Sequence, residues 1–172
     1  MNQAMHLLTS QATNEWYTPE WLISRARATM GGIDLDPASN DTAQAWIQAE
    51  RYYTQADDGY RKPWAGRVFL NPPFDDTPRW VARLFAAYQD GDVTQAVLLT
   101  NSAPGYAWWE NLWRLTTVCM LRERVAFVRP DGTTNGPAKK GQTVAYLGPN
   151  VAMFRNVWAR YGRVIEPPGS QQ

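Results

Sequence analysis

One cysteine and one histidine in 172 residues close off several kinds of chemistry. No disulfide framework can form within one chain. A zinc site of the Cys/His type lacks its ligands, and no metal site is expected. No apolar run approaches the ~18 residues of a membrane span. Residues 1–14 have neither the basic start nor the long apolar stretch of a secretory signal. Charged residues make up 19% of the chain and hydrophobic ones 44%. That balance supports a packed core and excludes a disordered polyelectrolyte. The expectation is a cytoplasmic protein of one domain: a mobile segment at 1–14, a folded unit at 15–165 and a loose tail at 166–172.

Two features stand out against this background. Tryptophan occurs nine times, and most of these residues belong in a core. The net charge of +1 also hides an asymmetry. Residues 1–113 carry 8 Lys/Arg against 13 Asp/Glu, a balance of −5, whereas residues 114–172 carry 9 against 3, a balance of +6. A basic final third fits a polyanion held on one side of the molecule, although ordinary patchiness gives the same count.

Helix-like and strand-like segments alternate along the chain. Thr18-Pro19 reads as a helix N-cap with proline at the first helical position, and Gly31 stops that helix. Residues 32–36 read as a short strand, and Asn40 or Asp41 caps a second helix to about Glu50. Residues 67–70 form a strand that runs into a double proline. Thr77-Pro78 opens an amphipathic helix that buries Trp80, Val81, Leu84, Phe85 and Tyr88 on one face. Residues 95–100 are nearly all apolar, as in a buried parallel strand. A Trp-rich helix is expected at 106–115, and strands at 117–121 and 125–128. A long Gly/Pro loop at 129–141 follows, then a strand at 143–147 and a helix from 151 to 161. This alternation predicts an α/β fold with helices on both faces of a mostly parallel sheet and a late antiparallel hairpin.

The sharpest chemical feature is Asn71-Pro72-Pro73-Phe74, at the carboxyl end of a strand, where open α/β sheets bind ligands. Two prolines remove two N–H donors. The outward groups are therefore acceptors, the Asn71 side-chain oxygen and the Pro72 carbonyl, with the Phe74 ring beside them. Such a site takes the two hydrogens of a planar amino group and stacks the ring that carries it. Adenine and cytosine both fit.

These residues resemble the Asn/Asp/Ser–Pro–Pro–aromatic motif of amino methyltransferases, which use S-adenosyl-L-methionine to methylate exocyclic amines of DNA bases. The likeness extends to Glu15-Trp16-Tyr17-Thr18-Pro19, which resembles a Tyr-Thr-Pro element that touches the cofactor. Ile33-Asp34-Leu35-Asp36-Pro37-Ala38-Ser39 resembles the segment that carries the Asp-Pro-Ala cofactor loop. Asp57-Asp58-Gly59 and Trp64-Ala65-Gly66 are similar to segments of the small phage-type DNA adenine methyltransferases. The resemblance implies a Rossmann-like class I methyltransferase fold and a catalytic set of Asn71, Pro72, Pro73 and Phe74. The cofactor would be held by Trp16, Tyr17, Thr18, Pro19, Asp36, Pro37 and Ala38. It also implies an acidic partner for the cofactor ribose, for which Asp57 or Asp58 is the candidate. Fuller relatives carry glycines after Asp-Pro-Ala, where this chain has Ser39-Asn40-Asp41.

Methyl transfer from a sulfonium needs neither a metal nor a strong base, which agrees with the scarcity of His and Cys; His6 and Cys119 receive no role. The base must leave the duplex or arrive single-stranded. Arg122, Arg124, Arg129, Lys139 and Lys140 are candidates for phosphate contacts. The alternative is an ordinary solvated loop. Phe127 suits either the second face of the base or the core. The phage resemblance favours adenine. A cytosine enzyme, or a DNA-binding protein that has lost its cofactor, is the rival. Work in a phage-infected or lysogenic bacterial cytoplasm, protecting DNA from restriction, is implied by the resemblance only. The oligomeric state stays open.

Overall fold

A computed structural model describes residues 16–134 and 136–169. The segment 1–14, His6 and Glu15 lie outside the described residues, as do the last three residues of the expected loose tail. The chain forms one mixed sheet of seven strands in the order β2-β1-β3-β4-β6-β5-β7. The strands are β1 Leu35–Asp36, β2 Arg51–Tyr52, β3 Gly66–Leu70, β4 Val93–Asn101, β5 Thr117–Leu121, β6 Gln142–Leu147 and β7 Gly162–Ile165. The helices are α1 Glu20–Met30, α2 Asp41–Ile47, α3 Thr77–Gln89, α4 Ala107–Leu115 and α5 Val151–Trp158.

Pairing is parallel from β2 through β4 and antiparallel at β4–β6, β6–β5 and β5–β7. Hence β1 to β5 run one way, and only β6 and β7 oppose them. The strand order reverses at β1, whose successor β2 lies on one side and β3 on the other. This Rossmann-like arrangement opens a crevice at the carboxyl ends of β1 and β3. Although β1 has only two residues, Asp34 just before it ties it to β3. The Asp34 carboxylate accepts from the Arg67 N–H at 2.7 Å and pairs with its guanidinium at 2.5 Å. That partner holds the Asp34 carboxyl below its usual range.

Alternation along the strands splits the core in two. Phe69, Val97, Leu99, Val144 and Tyr146 face α1, α2 and α5. Val68, Leu70, Ala96, Leu98 and Ala145 face α3 and α4. Both faces of β4 and β6 are thus covered, which explains their near-continuous apolar runs. Amphipathic α3 buries Trp80, Val81, Leu84 and Ala87. Trp64 belongs to this second core, 5.7 Å from Trp80, rather than to a ligand cavity.

Several elements differ from the expected ones. Pro19, not Thr18, is the N-cap of α1, and the Thr18 hydroxyl is used elsewhere. Residues 32–34 are not strand, α2 stops at Ile47 and α5 at Trp158. Residues 125–128 form no strand, because both edges of β6 are already taken by β4 and β5. Only Val128 pairs, through isolated antiparallel bridges to Tyr17 and Thr134. The antiparallel hairpin is therefore β5–β6, with the whole of 122–141 as its connection. Finally, Gly162 does not merely end a helix but opens β7 against β5. A Cβ there would collide with the Met120 carbonyl.

Candidate active site

Asn71 leaves the end of β3 with its amide in a defined orientation. Its Nδ2 donates to Thr18 Oγ1 at 3.0 Å. Its Oδ1 is buried and has no hydrogen-bond partner among the described residues. Thr18 is itself fixed, since its carbonyl accepts from Trp46 Nε1 at 2.9 Å. Pro73 uses its carbonyl locally, accepting from Asp76 N at 3.1 Å and Thr77 Oγ1 at 3.2 Å. The Pro72 carbonyl carries no such bond among the described residues. Two acceptors therefore stand ready at the crevice. Phe74, 46% exposed, lies beside them.

Two cavities meet here. The first, of about 270 Å³, is lined by Trp16, Tyr17, Thr18, Asp36, Ala38 and Asn71 to Phe74, together with Ser39, Asn40, Ala43 and Ile47 around the start of α2. The second, of about 420 Å³, is lined by Trp16, Phe74, Asn101, Phe127, Lys139 and Lys140 among others. Trp16 and Phe74 belong to both and form the partition between them.

In the first cavity Asp36 is 2% exposed. Burial pushes its carboxyl up to about 6, against hydrogen bonds around Ser39 and Ala38 that favour the ionised form. Its oxygens accept from Ala38 N at 3.3 Å and Gln44 Nε2 at 3.2 Å. Asn40 caps α2 by accepting from Ala43 N at 2.9 Å. The wall thus combines a dry carboxylate, small polar groups and apolar or aromatic surface from Tyr17, Ala43, Ile47 and Trp16. That donor set fits the amine, hydroxyls and purine of S-adenosylmethionine.

Other expected residues stand further off. Pro19 and Pro37 do not line the cavity. Asp57 accepts from Thr54 N and Thr54 Oγ1, both at 2.8 Å, and Asp58 pairs with Arg61 at 3.2 Å. Neither reaches the first cavity. Their turn supports it instead, because Gly59 packs so closely on the Pro37 carbonyl that no Cβ would fit.

At the second cavity Phe127 meets Phe74 edge-on, with centroids 6.0 Å apart, while only 7% exposed. It is both core and cavity wall. The Arg129 guanidinium lies 5.2 Å over the Trp16 ring. Tyr17 and Val128 exchange backbone bonds of 2.7 and 2.9 Å, which fastens the long connection to the segment that lines the first cavity. Lys139 and Lys140 are exposed on the rim. Arg122 and Arg124 are exposed and line neither cavity. Cys119 is buried in the core, where burial pushes its thiol up to about 11.

The residues that sequence reading missed are Ser39, Asn40, Ala43, Ile47, Trp46, Asn101 and Gln142. Of these, Asn101 had a signal. It ends the parallel strand next to β3, where the carboxyl-end rule applies equally.

The chain matches the model of the DNA N-6-adenine-methyltransferase (Dam) family over residues 6–168. It belongs to that family. No curated protein matches it. Among solved structures, the Dam-family chain is similar to a dimethyladenosine transferase from Plasmodium falciparum, at 11% identity and a TM-score of 0.46. The similarity covers 80% of this chain and 64% of that one, so the chain spans less than two thirds of that structure's length.

Proposed function

We propose that this chain transfers a methyl group from S-adenosyl-L-methionine to the exocyclic amino group of adenine in DNA, with the base turned out of the helix into the second cavity. The observation that carries this reading is the buried, unpartnered Asn71 Oδ1 in the wall of the first cavity, three residues before Phe74, which lines both cavities. A buried acceptor without a partner is costly and rare in native structures. It is retained where a ligand supplies the missing donor.

When bound, the cofactor supplies a methyl carbon already activated on a sulfonium. The chain's own residues do the rest by position and electrostatics. Asp36 would accept from a hydroxyl or ammonium of the cofactor, and Tyr17, Ala43 and Ile47 would bury its ring. Asn71 Oδ1 and the Pro72 carbonyl each accept one amino hydrogen of the base. This draws lone-pair density out of the ring and towards the methyl carbon. Thr18 Oγ1 accepts from the Asn71 Nδ2, and with that bond made the Asn71 oxygen faces the base. Phe74 stacks on the base and Phe127 backs it. Lys139, Lys140 and Arg129 hold phosphates near the rim, with Arg122 and Arg124 further out. Work on phage or prophage DNA in a bacterial cytoplasm is part of this reading and rests on the sequence resemblance alone.

The test is incubation with tritiated S-adenosylmethionine and unmodified DNA, followed by digestion to nucleosides. Label is expected in N6-methyldeoxyadenosine. Label in N4-methyldeoxycytidine would change the base, and no incorporation would overturn the reading.

A further inference from the structure

Asn101 ends β4 and lines the second cavity. Along β4 it has the parity of Val97 and Leu99. Along β3, Asn71 has the parity of Phe69. Those three apolar residues share one core cluster, so both amides leave the same face of the sheet. The register pairs Leu70 with Leu98, which sets Asn101 two residues further along than the neighbour of Asn71. With strands ~4.8 Å apart and a rise of ~3.3 Å per residue, their Cα atoms are ~8 Å apart. Side chains reaching inward from both positions close on a single base.

The Asn101 amide is orientated by a relay that starts at the backbone. Val125 N donates to Gln142 Oε1 at 2.8 Å. Gln142 Nε2 donates to the Lys140 carbonyl at 2.5 Å and to Asn101 Oδ1 at 3.3 Å. A backbone N–H cannot accept and a backbone carbonyl cannot donate, so Gln142 has one permitted orientation. Gln142 is 1% exposed, and each of its amide atoms is bonded within this relay. Asn101 must therefore show its oxygen to Gln142 and turn its Nδ2 away. Nothing among the described residues accepts from that nitrogen.

We infer that Asn101 reads the target base: its Nδ2 donates to a ring nitrogen flanking the amino-bearing carbon, N1 or N7 of adenine, and Gln142 is the positioning residue that keeps this donor turned into the cavity. The assignment rests on the methyltransferase reading above. It gives the site a matched pattern, with acceptors at Asn71 and Pro72 for the amino hydrogens and a donor at Asn101 for the adjacent lone pair. Guanine and thymine present a carbonyl where Asn71 needs a donor.

The test compares adenine, 1-deazaadenine and 7-deazaadenine as targets. Each faces an abasic site in an otherwise identical duplex, so base pairing contributes equally. In the wild type, one analogue should lose kcat/KM by ~10-fold, the effect of losing one neutral hydrogen bond, and the other should not. Which analogue fails identifies N1 or N7. In Asn101→Ala the penalty of that analogue relative to adenine should shrink by ~10-fold, because the partner of the missing nitrogen is gone and only the analogue's intrinsic amine reactivity remains. In Gln142→Glu the Asn101 amide turns round, and the same loss of discrimination is expected. A wild type that methylates all three equally overturns the inference without needing any variant, and leaves the methyltransferase reading intact. So does an analogue penalty that persists undiminished in Asn101→Ala. A penalty that persists undiminished in Gln142→Glu removes Gln142 from the assignment. If the wild type methylates no adenine at all, the methyltransferase reading falls and the inference falls with it.

Discussion

Replacing Asn71 with alanine should separate activity from stability. The Oδ1 that would be lost is buried and unpartnered in the ligand-free protein, and an orphaned buried acceptor costs ~1–3 kcal/mol. The Nδ2 that would be lost makes one bond, to Thr18 at 3.0 Å, worth ~1 kcal/mol net. The truncation enlarges a cavity that is already present, so no new void opens in the packed core. The two contributions leave Asn71→Ala between unchanged and ~2 kcal/mol more stable. At ~2–4 °C per kcal/mol for a chain of this size, Tm stays level or rises by up to ~8 °C. Turnover moves the other way. Loss of one preorganised partner of the reacting group costs ~3 kcal/mol, or about a hundredfold in rate. Affinity for S-adenosylhomocysteine should fall far less than turnover, because in the proposed function the Asn71 oxygen is directed at the amine, although Asn71 also lines the first cavity. Single-turnover transfer of tritiated methyl, scanning calorimetry and titration calorimetry read the three quantities. A variant with wild-type turnover, or one that melts more than ~4 °C lower, would refute the account of Asn71 as a stored, unpaired acceptor.

Phe74→Tyr and Phe74→Trp should keep activity on duplex DNA, while Phe74→Ala loses the ~1–3 kcal/mol of one base–aromatic stack, read as kcat/KM. Lys139→Ala/Lys140→Ala should weaken binding to all DNA sequences alike and lower the log-affinity against log-salt slope by ~1–2, with cofactor affinity unmoved; an unchanged slope would place the DNA elsewhere. Asp36 keeps its proton to about pH 6 in the folded state, against an ordinary 3.8. The folded protein binds more protons in that window, so ligand-free stability falls as pH rises from about 4 to about 6, by up to ~3 kcal/mol, and is level above it. Parallel melting profiles for the wild type and Asp36→Asn across that range would show that burial does not govern this carboxyl.

What could be read from the sequence divides along physical lines. Local signals were sufficient for α3, whose Thr-Pro start and apolar stripe need no tertiary context. The same holds for the double proline after β3, since two fixed φ angles and two missing donors act wherever they are placed. Signals that depend on competition for partners were not sufficient. Residues 125–128 have a strand-like pattern and bury Val125 and Phe127, yet β6, the strand next in sequence, has both edges occupied by β4 and β5. Residues 162–165 show no such pattern beyond a helix-ending glycine, yet β5 has an open edge, and Gly162 allows the approach. The carboxyl-end rule marks the position of Asn101, but a lone asparagine at a strand end carries no motif. Its meaning comes from Gln142, 41 positions away, and from the backbone groups that orient Gln142.

The Asp36-Pro37-Ala38 loop, the cofactor surface of the proposed function, contains no glycine. Glycine there lets backbone come close to a ligand. In this chain close approach is used from beneath. Gly59 lies against the Pro37 carbonyl, and its turn is braced by the Thr54–Asp57 capping box and by Trp64, whose Nε1 donates to the Gly59 carbonyl at 2.8 Å. Above it stand Ser39 and Asn40. Asn40 caps α2, and Ser39 Oγ accepts from Gln44 Nε2 at 2.8 Å, the same nitrogen that reaches Asp36. The loop is therefore pinned on both sides by side chains rather than freed by their absence. Such a loop loses little freedom on binding. Gly59→Ala should accordingly act at a distance, by lifting Pro37 and moving Asp36. It should weaken S-adenosylhomocysteine binding although residue 59 does not line the cavity, and a titration that finds wild-type affinity in a folded Gly59→Ala protein would refute this support role.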